Sequence, residues 1–442
     1  MKLDSIINNI DTISIYNKED IYIKGFSKDT RTIGENEFFV AIKGENFDGN
    51  DFVLEALNKG AIGAIMDNDN ISEDIISLGK PIILVKDSIK ALQELAAYKR
   101  SLYNIPVIAI TGSVGKTSTK DIIASVVSEK YKVLKTEGNL NNHIGLPLTI
   151  LKLEDHEALV VEMGMNHFHE IEVLSNIAKP NLAVITNVGT AHIGILGSRE
   201  NILKAKLEIT EGLNGSLIIN NDNDLLNKWS TQNNKFNVIT YGINNESDYI
   251  AKDAKYYEEY SLFKFHDEEI RVPVSGEHFV YNALCAIAVG SSLNIPLDKI
   301  KAGIEKFSLS NNRMSLIKKD YTIIDDTYNA NYDSVVSALK YLNSLEGRKI
   351  AVLGDMLELG EFSDSLHKQV GKEIMNMNID LVITIGNLSR NINEILKDKT
   401  TYHFENNKEA IEFLNNIKQK DDKILIKASN GMHFKEIVEG IK

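Results

Sequence analysis

Cysteine is all but absent from this chain of 442 residues, Cys285 being the only one. A single thiol excludes an intrachain disulfide framework and suits a reducing compartment. No apolar run approaches the roughly 18 residues of a membrane-crossing helix. Met1-Lys-Leu-Asp-Ser leads into mixed polar sequence, without the basic, apolar and small-residue succession of a secretory leader. No membrane span and a cytoplasmic location are therefore expected. Positive charge is in deficit as well, with 49 Lys and Arg against 62 Asp and Glu and a net charge of −13. That argues against a broad nucleic-acid footprint, so no nucleic-acid partner is expected. An anionic ligand can still bind a local basic pocket. Apolar and charged fractions of 43% and 25% are those of a globular protein. The length exceeds one ordinary core and implies two or three domains.

What is present is concentrated at residues 111–117, Thr-Gly-Ser-Val-Gly-Lys-Thr, after the apolar run Val107–Ile110. This reads as strand, glycine-rich turn and helix start. Such a loop turns backbone N–H groups toward phosphate oxygens. Gly112, Ser113, Val114, Gly115 and Ser118 would line it, Lys116 would reach the β- and γ-phosphates, and the Thr117 hydroxyl would hold Mg²⁺. The longer form of the motif wants another glycine at 110, where this chain has Ile. An ordinary Gly/Ser turn is the competing reading. With strand, lysine and threonine all in place, a nucleoside triphosphate is the expected ligand.

Three α/β blocks follow from the alternation of apolar runs and amphipathic stretches. Residues 1–103 contain short strands (Phe38–Ile42, Ala61–Met66, Pro81–Val85), a helix at Asp51–Lys59 and another near Ile89–Tyr103. Residues 104–307 hold the phosphate loop and buried strands at Ala158–Glu162, Leu182–Thr186 and Leu217–Asn220, predicting a mainly parallel sheet wrapped by helices. Phe236–Val274 is more β-like and polar and reads as an antiparallel edge or flap. Residues 308–442 repeat strand and helix, with strands at Thr322–Asp325, Lys349–Leu353, Leu381–Ile385 and Lys423–Lys427 and a possible edge at Thr401–Phe404. That is a second, doubly wound unit, and in such sheets ligands sit beyond the carboxyl ends of the strands.

The polar clusters at those ends are the candidates. Glu162 ends a buried strand, where a solvated strand-end carboxylate is the ordinary explanation, but beside a phosphate loop it is the expected Mg²⁺ ligand. His192 follows another strand; alone, a loop histidine is an ordinary hydrogen-bonding group, since Mg²⁺ prefers oxygen. A helix predicted over Arg199–Leu213, capped by Ser198, carries Ile202, Leu203, Ile209 and Leu213 on one stripe. Lys206 falls within that stripe. Lys204 falls opposite, four residues from both Glu200 and Glu208, as a solvated ion pair would. A buried lysine has a depressed pKa and a reactive neutral amine, able to take up CO₂ as a carbamate that supports a metal ion. A snorkelling stem explains the same position, and the helix alone favours that ordinary explanation. Gly138-Asn-Leu-Asn-Asn-His143 is an amide-rich turn, with Asn139 and Asn142 suited to a substrate or to phosphates. Asp325-Asp-Thr-Tyr-Asn-Ala-Asn331 places Asp326, Asn329 and Asn331 at a sheet edge. Arg313 is a candidate phosphate clamp brought by another domain. Gly354–Glu361 is an acidic loop, and Lys427-Ala-Ser-Asn-Gly-Met432 a small-residue turn.

Together these motifs resemble the Mur ligases of peptidoglycan synthesis. The resemblance rests on Thr-Gly-Ser-Val-Gly-Lys-Thr, Glu162-Met-Gly, the His192-to-Lys206 spacing, Asn282-Ala-Leu and the Arg313/Asp326 pair. Within that family, Asn139-Leu-Asn-Asn, Asp325-Asp-Thr-Tyr-Asn-Ala-Asn and Val352-Leu-Gly-Asp-Met-Leu-Glu-Leu-Gly-Glu are similar to the branch that adds D-alanyl-D-alanine. Asp29-Thr-Arg31 and Phe38-Phe-Val-Ala-Ile-Lys-Gly match its first domain. The resemblance implies an ATP-dependent amide ligase acting on UDP-N-acetylmuramoyl-tripeptide and D-Ala-D-Ala. It implies a UDP-binding first domain with Ser27, Thr30 and Arg31 near the nucleotide-sugar, a central ATP-binding domain, and a Rossmann-like last domain. Asn282, Arg313 and Asp326 would meet ATP. Thr117 and Glu162 would hold one Mg²⁺. A second would lie near Glu162 and His192, supported by a carbamate on Lys206, which reverses the ordinary reading of that lysine. A monomer is expected.

Three positions depart from the family's pattern. Tyr332 stands where proline is common, Asn50 where histidine is frequent, and Asn430 where arginine is frequent. These touch local loop shape and individual UDP and dipeptide contacts. Three rivals remain in view. The ligase adding the third residue of the stem peptide carries an Asp-Asn-Pro-Arg-type motif, and no Asp-Asn-Pro occurs here. Folyl-polyglutamate synthetases lack this type of first domain. A nucleotide-dependent switch would need neither an inward lysine nor His192.

Overall fold

The computed structural model describes residues 1–309 and 313–442. Their strands form four sheets. The first, of five strands, runs in the order Thr12–Tyr16, Ile82–Val85, Gly63–Met66, Glu37–Val40 and Gly25–Ser27. Only its first pair is antiparallel. A helix at Ser88–Ser101, whose first N–H groups are capped by the Asp87 carboxylate, leads out of this unit.

The central sheet has seven strands, all parallel: Tyr249–Ile250, Asn237–Gly242, Ser216–Asn220, Leu182–Ile185, Val107–Thr111, Ala158–Glu162 and Val133–Lys135. Val107–Thr111 and Ala158–Glu162 are buried at every residue, as strands covered on both faces must be. Val107–Thr111 lies between Ala158–Glu162 and Leu182–Ile185. The chain therefore crosses to opposite sides of that strand, and the crevice at its carboxyl end is where a ligand fits.

The third unit is a six-stranded sheet in the order Ser315–Lys318, Thr322–Asp325, Lys423–Lys427, Lys349–Gly354, Leu381–Ile385 and Thr401–Phe404. Only Ser315–Lys318 is antiparallel. The Lys349–Gly354 strand ends against a tight neighbour. A Cβ at Gly354 would lie 2.5 Å from Phe434 Cζ and 2.6 Å from Ala428 Cβ, both buried. Gly354→Ala is therefore expected to lose about 1–3 kcal/mol by overpacking. Urea unfolding tests this: the midpoint should fall at unchanged slope, and an unmoved midpoint would mean that the ring gives way freely.

Two expectations need correction. Phe236–Val274 is not one antiparallel flap. Asn237–Gly242 and Tyr249–Ile250 extend the central parallel sheet, and only Lys252–Tyr256, Ser261–Phe265 and Glu268–Val272 form a separate antiparallel sheet. The helix predicted over Arg199–Leu213 stops at Leu207 and tightens into a 3₁₀ turn at Glu208–Thr210. The Glu208 carboxylate is the cause, since it turns away to accept the backbone N–H groups of His169 and Glu172. Gly212 then packs on the Ser175 backbone, where a Cβ would meet the carbonyl oxygen at 2.0 Å. Glu208 is thus unavailable to Lys204, which is exposed and has no ion pair among the described residues.

Candidate active site

The phosphate loop takes the geometry its sequence demands. Gly112 and Gly115 have φ of 156° and 83°, the second within the left-handed region that glycine tolerates. A Cβ on Gly112 would strike Thr186 Oγ1 at 1.8 Å. The helix Lys116–Val127 starts at once, its first N–H groups pointing back at the loop. Lys116 Nζ donates to the Gly112 carbonyl oxygen at 2.9 Å. Burial pulls the Lys116 pKa below its ordinary value; Glu162 opposes that shift and Arg313 adds to it.

Glu162 ends the neighbouring strand and is 2% exposed. Its Oε2 accepts from the Thr117 hydroxyl at 2.8 Å and its Oε1 from Asn141 Nδ2 at 2.7 Å. A hydroxyl and a carboxylate in contact beside a phosphate loop fit Mg²⁺, which takes one or two protein oxygens and completes its shell with phosphate oxygens and water. No cluster of three or more His, Cys, Asp or Glu suited to a metal occurs among the described residues.

These groups line a cavity of about 460 Å³ between the central and C-terminal units. From the phosphate loop come Ser113, Val114, Gly115, Lys116, Thr117 and Ser118. Asn139, Asn142, Glu162, His192 and Asn282 complete the central wall. The C-terminal wall brings Arg313, Asp326, Asn329 and Asn331. The Arg313 guanidinium lies 3.9 Å from the Tyr328 ring centroid and has no ion pair among the described residues, so its charge is available to an anion. Asn282 Oδ1 accepts from Thr119 Oγ1 at 2.9 Å, while its buried Nδ2 has no partner among the described residues. Asn142 Oδ1 accepts the N–H groups of Ile144 and Gly145 just where the helix Gly145–Leu151 starts, and Asn331 forms a capping box with Ser334.

His192 has φ of 64° and lies 3.4 Å through Nδ1 from Glu358 Oε2, without hydrogen-bond alignment. Lys206 does not line the cavity. It is 2% exposed, and its side chain has neither ion pair nor hydrogen bond among the described residues. Burial, and then the Lys116 charge, drives its pKa well below the ordinary lysine value. Ser27, Thr30 and Arg31 lie in the first unit and are not part of this cavity. There Thr30 donates to Glu55, Arg31 pairs with Asp29, and Ser27 Oγ accepts the Asp29 N–H.

Among the lining residues that the sequence did not single out are Asn141, His278 and Lys427. Asn141 lies inside the amide-rich turn, where nothing local tells which amide meets Glu162. His278 sits one helical turn before Asn282, a spacing that did place it on the same face. Its ring meets Ser337 Oγ at 3.0 Å, and burial pushes its pKa down to about 4, so it is neutral near pH 7. Lys427, 2% exposed, pairs with Asp326 Oδ2 at 2.6 Å and donates to the Asn329 carbonyl oxygen. It ends the strand beside Thr322–Asp325, so register explains the pairing.

A phosphate loop, an acid on the adjacent strand and a second α/β unit supplying arginine and carboxylate define a nucleotide-using enzyme of three α/β domains. The chain belongs to the Mur ligase family. Residues 22–100 match the Mur ligase family catalytic domain, 110–290 the Mur ligase middle domain and 312–430 the Mur ligase glutamate ligase domain. The chain is 41% identical over 441 residues to UDP-N-acetylmuramoyl-tripeptide–D-alanyl-D-alanine ligase of Bacillus subtilis, covering 96% of this chain and 94% of that protein. MurF from Acinetobacter baumannii superposes with a TM-score of 0.92 at 30% identity, covering 99% and 98% of the two chains. MurF from Thermotoga maritima in complex with ADP gives 0.85 at 30% identity, covering 96% and 98%.

Proposed function

We propose that this chain is the ATP-dependent ligase that joins D-alanyl-D-alanine to UDP-N-acetylmuramoyl-tripeptide, yielding the pentapeptide precursor, ADP and phosphate. The observation that carries the reading is one cavity in which Lys116, Thr117 and Glu162 face Arg313 and Asp326. Near full-length similarity to ligases of that name supports the choice of substrates.

The tripeptide carboxylate attacks the γ-phosphate of ATP, giving an acyl phosphate and ADP. The neutral amine of D-Ala-D-Ala then attacks the acyl carbon, and phosphate leaves with the bonding pair. The chain's part is positioning and charge stabilisation. Lys116 and Arg313 approach the phosphates from opposite walls and spread the charge that develops on them. Asn282 offers its unpartnered Nδ2 to the nucleotide, and Lys427 fixes Asp326 where it would meet the same ligand. Mg²⁺, held by Thr117 and Glu162 with His192 near a second ion, would neutralise phosphate oxygens. Lys206, with its low pKa, is proposed to bind CO₂ as a carbamate, losing one proton. The resulting anion would attract the Lys116 ammonium, whose charge disfavours a second ammonium at Lys206. Ser27, Thr30 and Arg31 are proposed contacts of the UDP end. A cytoplasmic monomer, with no nucleic-acid partner, fits this role. No helix among the described residues is long and apolar enough to cross a membrane.

The test is phosphate release from ATP with UDP-N-acetylmuramoyl-tripeptide, with and without D-Ala-D-Ala, and product mass. Release needing both substrates, with a pentapeptide product, is expected. Release indifferent to the dipeptide would overturn the assignment.

A further inference from the structure

The C-terminal unit touches the central one through a contact that none of the assigned roles uses. Asp333, second residue of the helix Tyr332–Ser344, reaches out of its own unit. Its Oδ2 accepts both the backbone N–H of Thr190 at 2.7 Å and the Thr190 hydroxyl at 2.8 Å. Gly189 is bare backbone beneath it, and a Cβ there would lie 2.3 Å from the same oxygen. Asp333 has no ion pair among the described residues, so these two bonds are its close polar contacts.

Thr190 belongs to a loop that serves both halves of the central site. At one end it is laced to the phosphate loop. The Gly189 N–H donates to Ser113 Oγ at 2.9 Å, and Asn187 Oδ1 accepts the N–H groups of Ser113 and Val114. At the other end, two residues beyond Thr190, it carries His192. The helix bearing Asp333 is capped by Asn331, itself in the cavity wall. Asp333 thus joins the C-terminal unit to a loop bonded to the phosphate loop on one side and carrying His192 on the other.

We propose that Asp333 is a positioning residue that couples seating of the C-terminal unit to alignment of the phosphate loop and the His192 turn. The proposal rests on the ligase reading above, because it assigns Asp333 a part in that reaction. An acid in the first turn of a helix also favours its own helix end by charge. Asn keeps the accepting oxygen and discards the charge, so Asp333→Asn separates the two roles.

The experiment uses the full chain. Asp333→Ala is expected to lower kcat by roughly 10- to 100-fold with little change in KM for ATP, as misplacement of bound groups does. Thr190→Val should do the same more mildly. The double variant should be no worse than Asp333→Ala alone, since both remove one contact. Asp333→Asn should recover most of the lost turnover. Small-angle scattering with a non-hydrolysable ATP analogue should show the unaltered chain and Asp333→Asn compacting, and Asp333→Ala compacting less. Additive losses, an Asn variant as impaired as the Ala variant, or identical compaction in all variants would each overturn the proposal. Scattering needs no peptide substrate. A failed ligase reading, seen as no product from the unaltered chain, therefore remains distinguishable from a failed contact.

Discussion

Lys206→Met is expected to abolish most ligase turnover while making the protein harder to unfold. The two effects have one origin. Lys206 is buried without a carboxylate, and burial and Lys116 hold its pKa well below the ordinary value. An ammonium in that place is costly, and a thioether of similar length fills the space without charge. The folded-state pKa lies below the unfolded value of about 10.4, so the unfolded chain binds more protons between the two. Stability of the unaltered chain therefore rises with pH through that window. The thermal advantage of Lys206→Met should be largest below the folded-state pKa and shrink as pH climbs toward about 10. It should be measured in CO₂-free buffer, so that no carbamate contributes. Turnover should fall by roughly 100- to 1,000-fold, the scale on which loss of a preorganised electrostatic group acts, with nucleotide affinity largely kept. Added bicarbonate should raise the activity of the unaltered chain depleted of CO₂ and leave the variant unmoved. A variant that turns over normally would remove Lys206 from the reaction. One that unfolds earlier at every pH would show that the amine has an unrecognised stabilising partner.

How far the sequence reading reached depends on whether the relevant contacts were local. The phosphate loop was legible because strand, turn and helix are contiguous, and the glycines have the φ values such a turn requires. The inward course of Lys206 was legible because a helix face is set by spacing alone. The end of that helix was not, because it is fixed by Glu208 bonding to His169 and Glu172, more than 30 residues away in the chain. Periodicity alone extended the helix to Leu213 and paired Lys204 with Glu208. The strand Val133–Lys135 was missed because it is a short sheet edge, only half buried at two of its residues. The Lys427–Asp326 pair spans 101 residues and the Asp333–Thr190 contact 143. The first depends on strand order within the C-terminal sheet and the second on how two units meet, and spacing within one segment encodes neither.

Glu162→Gln is the second substitution expected to act strongly, and its value lies in what it should leave intact. Glu162 accepts from Thr117 at Oε2 and from Asn141 at Oε1. Glutamine can keep both contacts: its Oε1 still accepts from Asn141, and its Nε2 can donate to the Thr117 oxygen once that hydroxyl rotates. Volume is conserved and no buried polar atom is orphaned, so the unfolding midpoint should barely move. What disappears is the negative charge. Mg²⁺ would lose its anionic protein ligand, and Lys116 would lose the attraction that opposes its desolvation. Turnover should fall by roughly 100- to 1,000-fold, and the Mg²⁺ concentration giving half-maximal activity should rise. The pairing of an unmoved midpoint with a raised metal requirement separates a ligand role from a merely structural one. Loss of stability in parallel with activity would assign Glu162 to the architecture of the strand end. Near-normal turnover at unchanged Mg²⁺ dependence would place the metal on other oxygens of the cavity, and Thr117 would then be the first of them to vary.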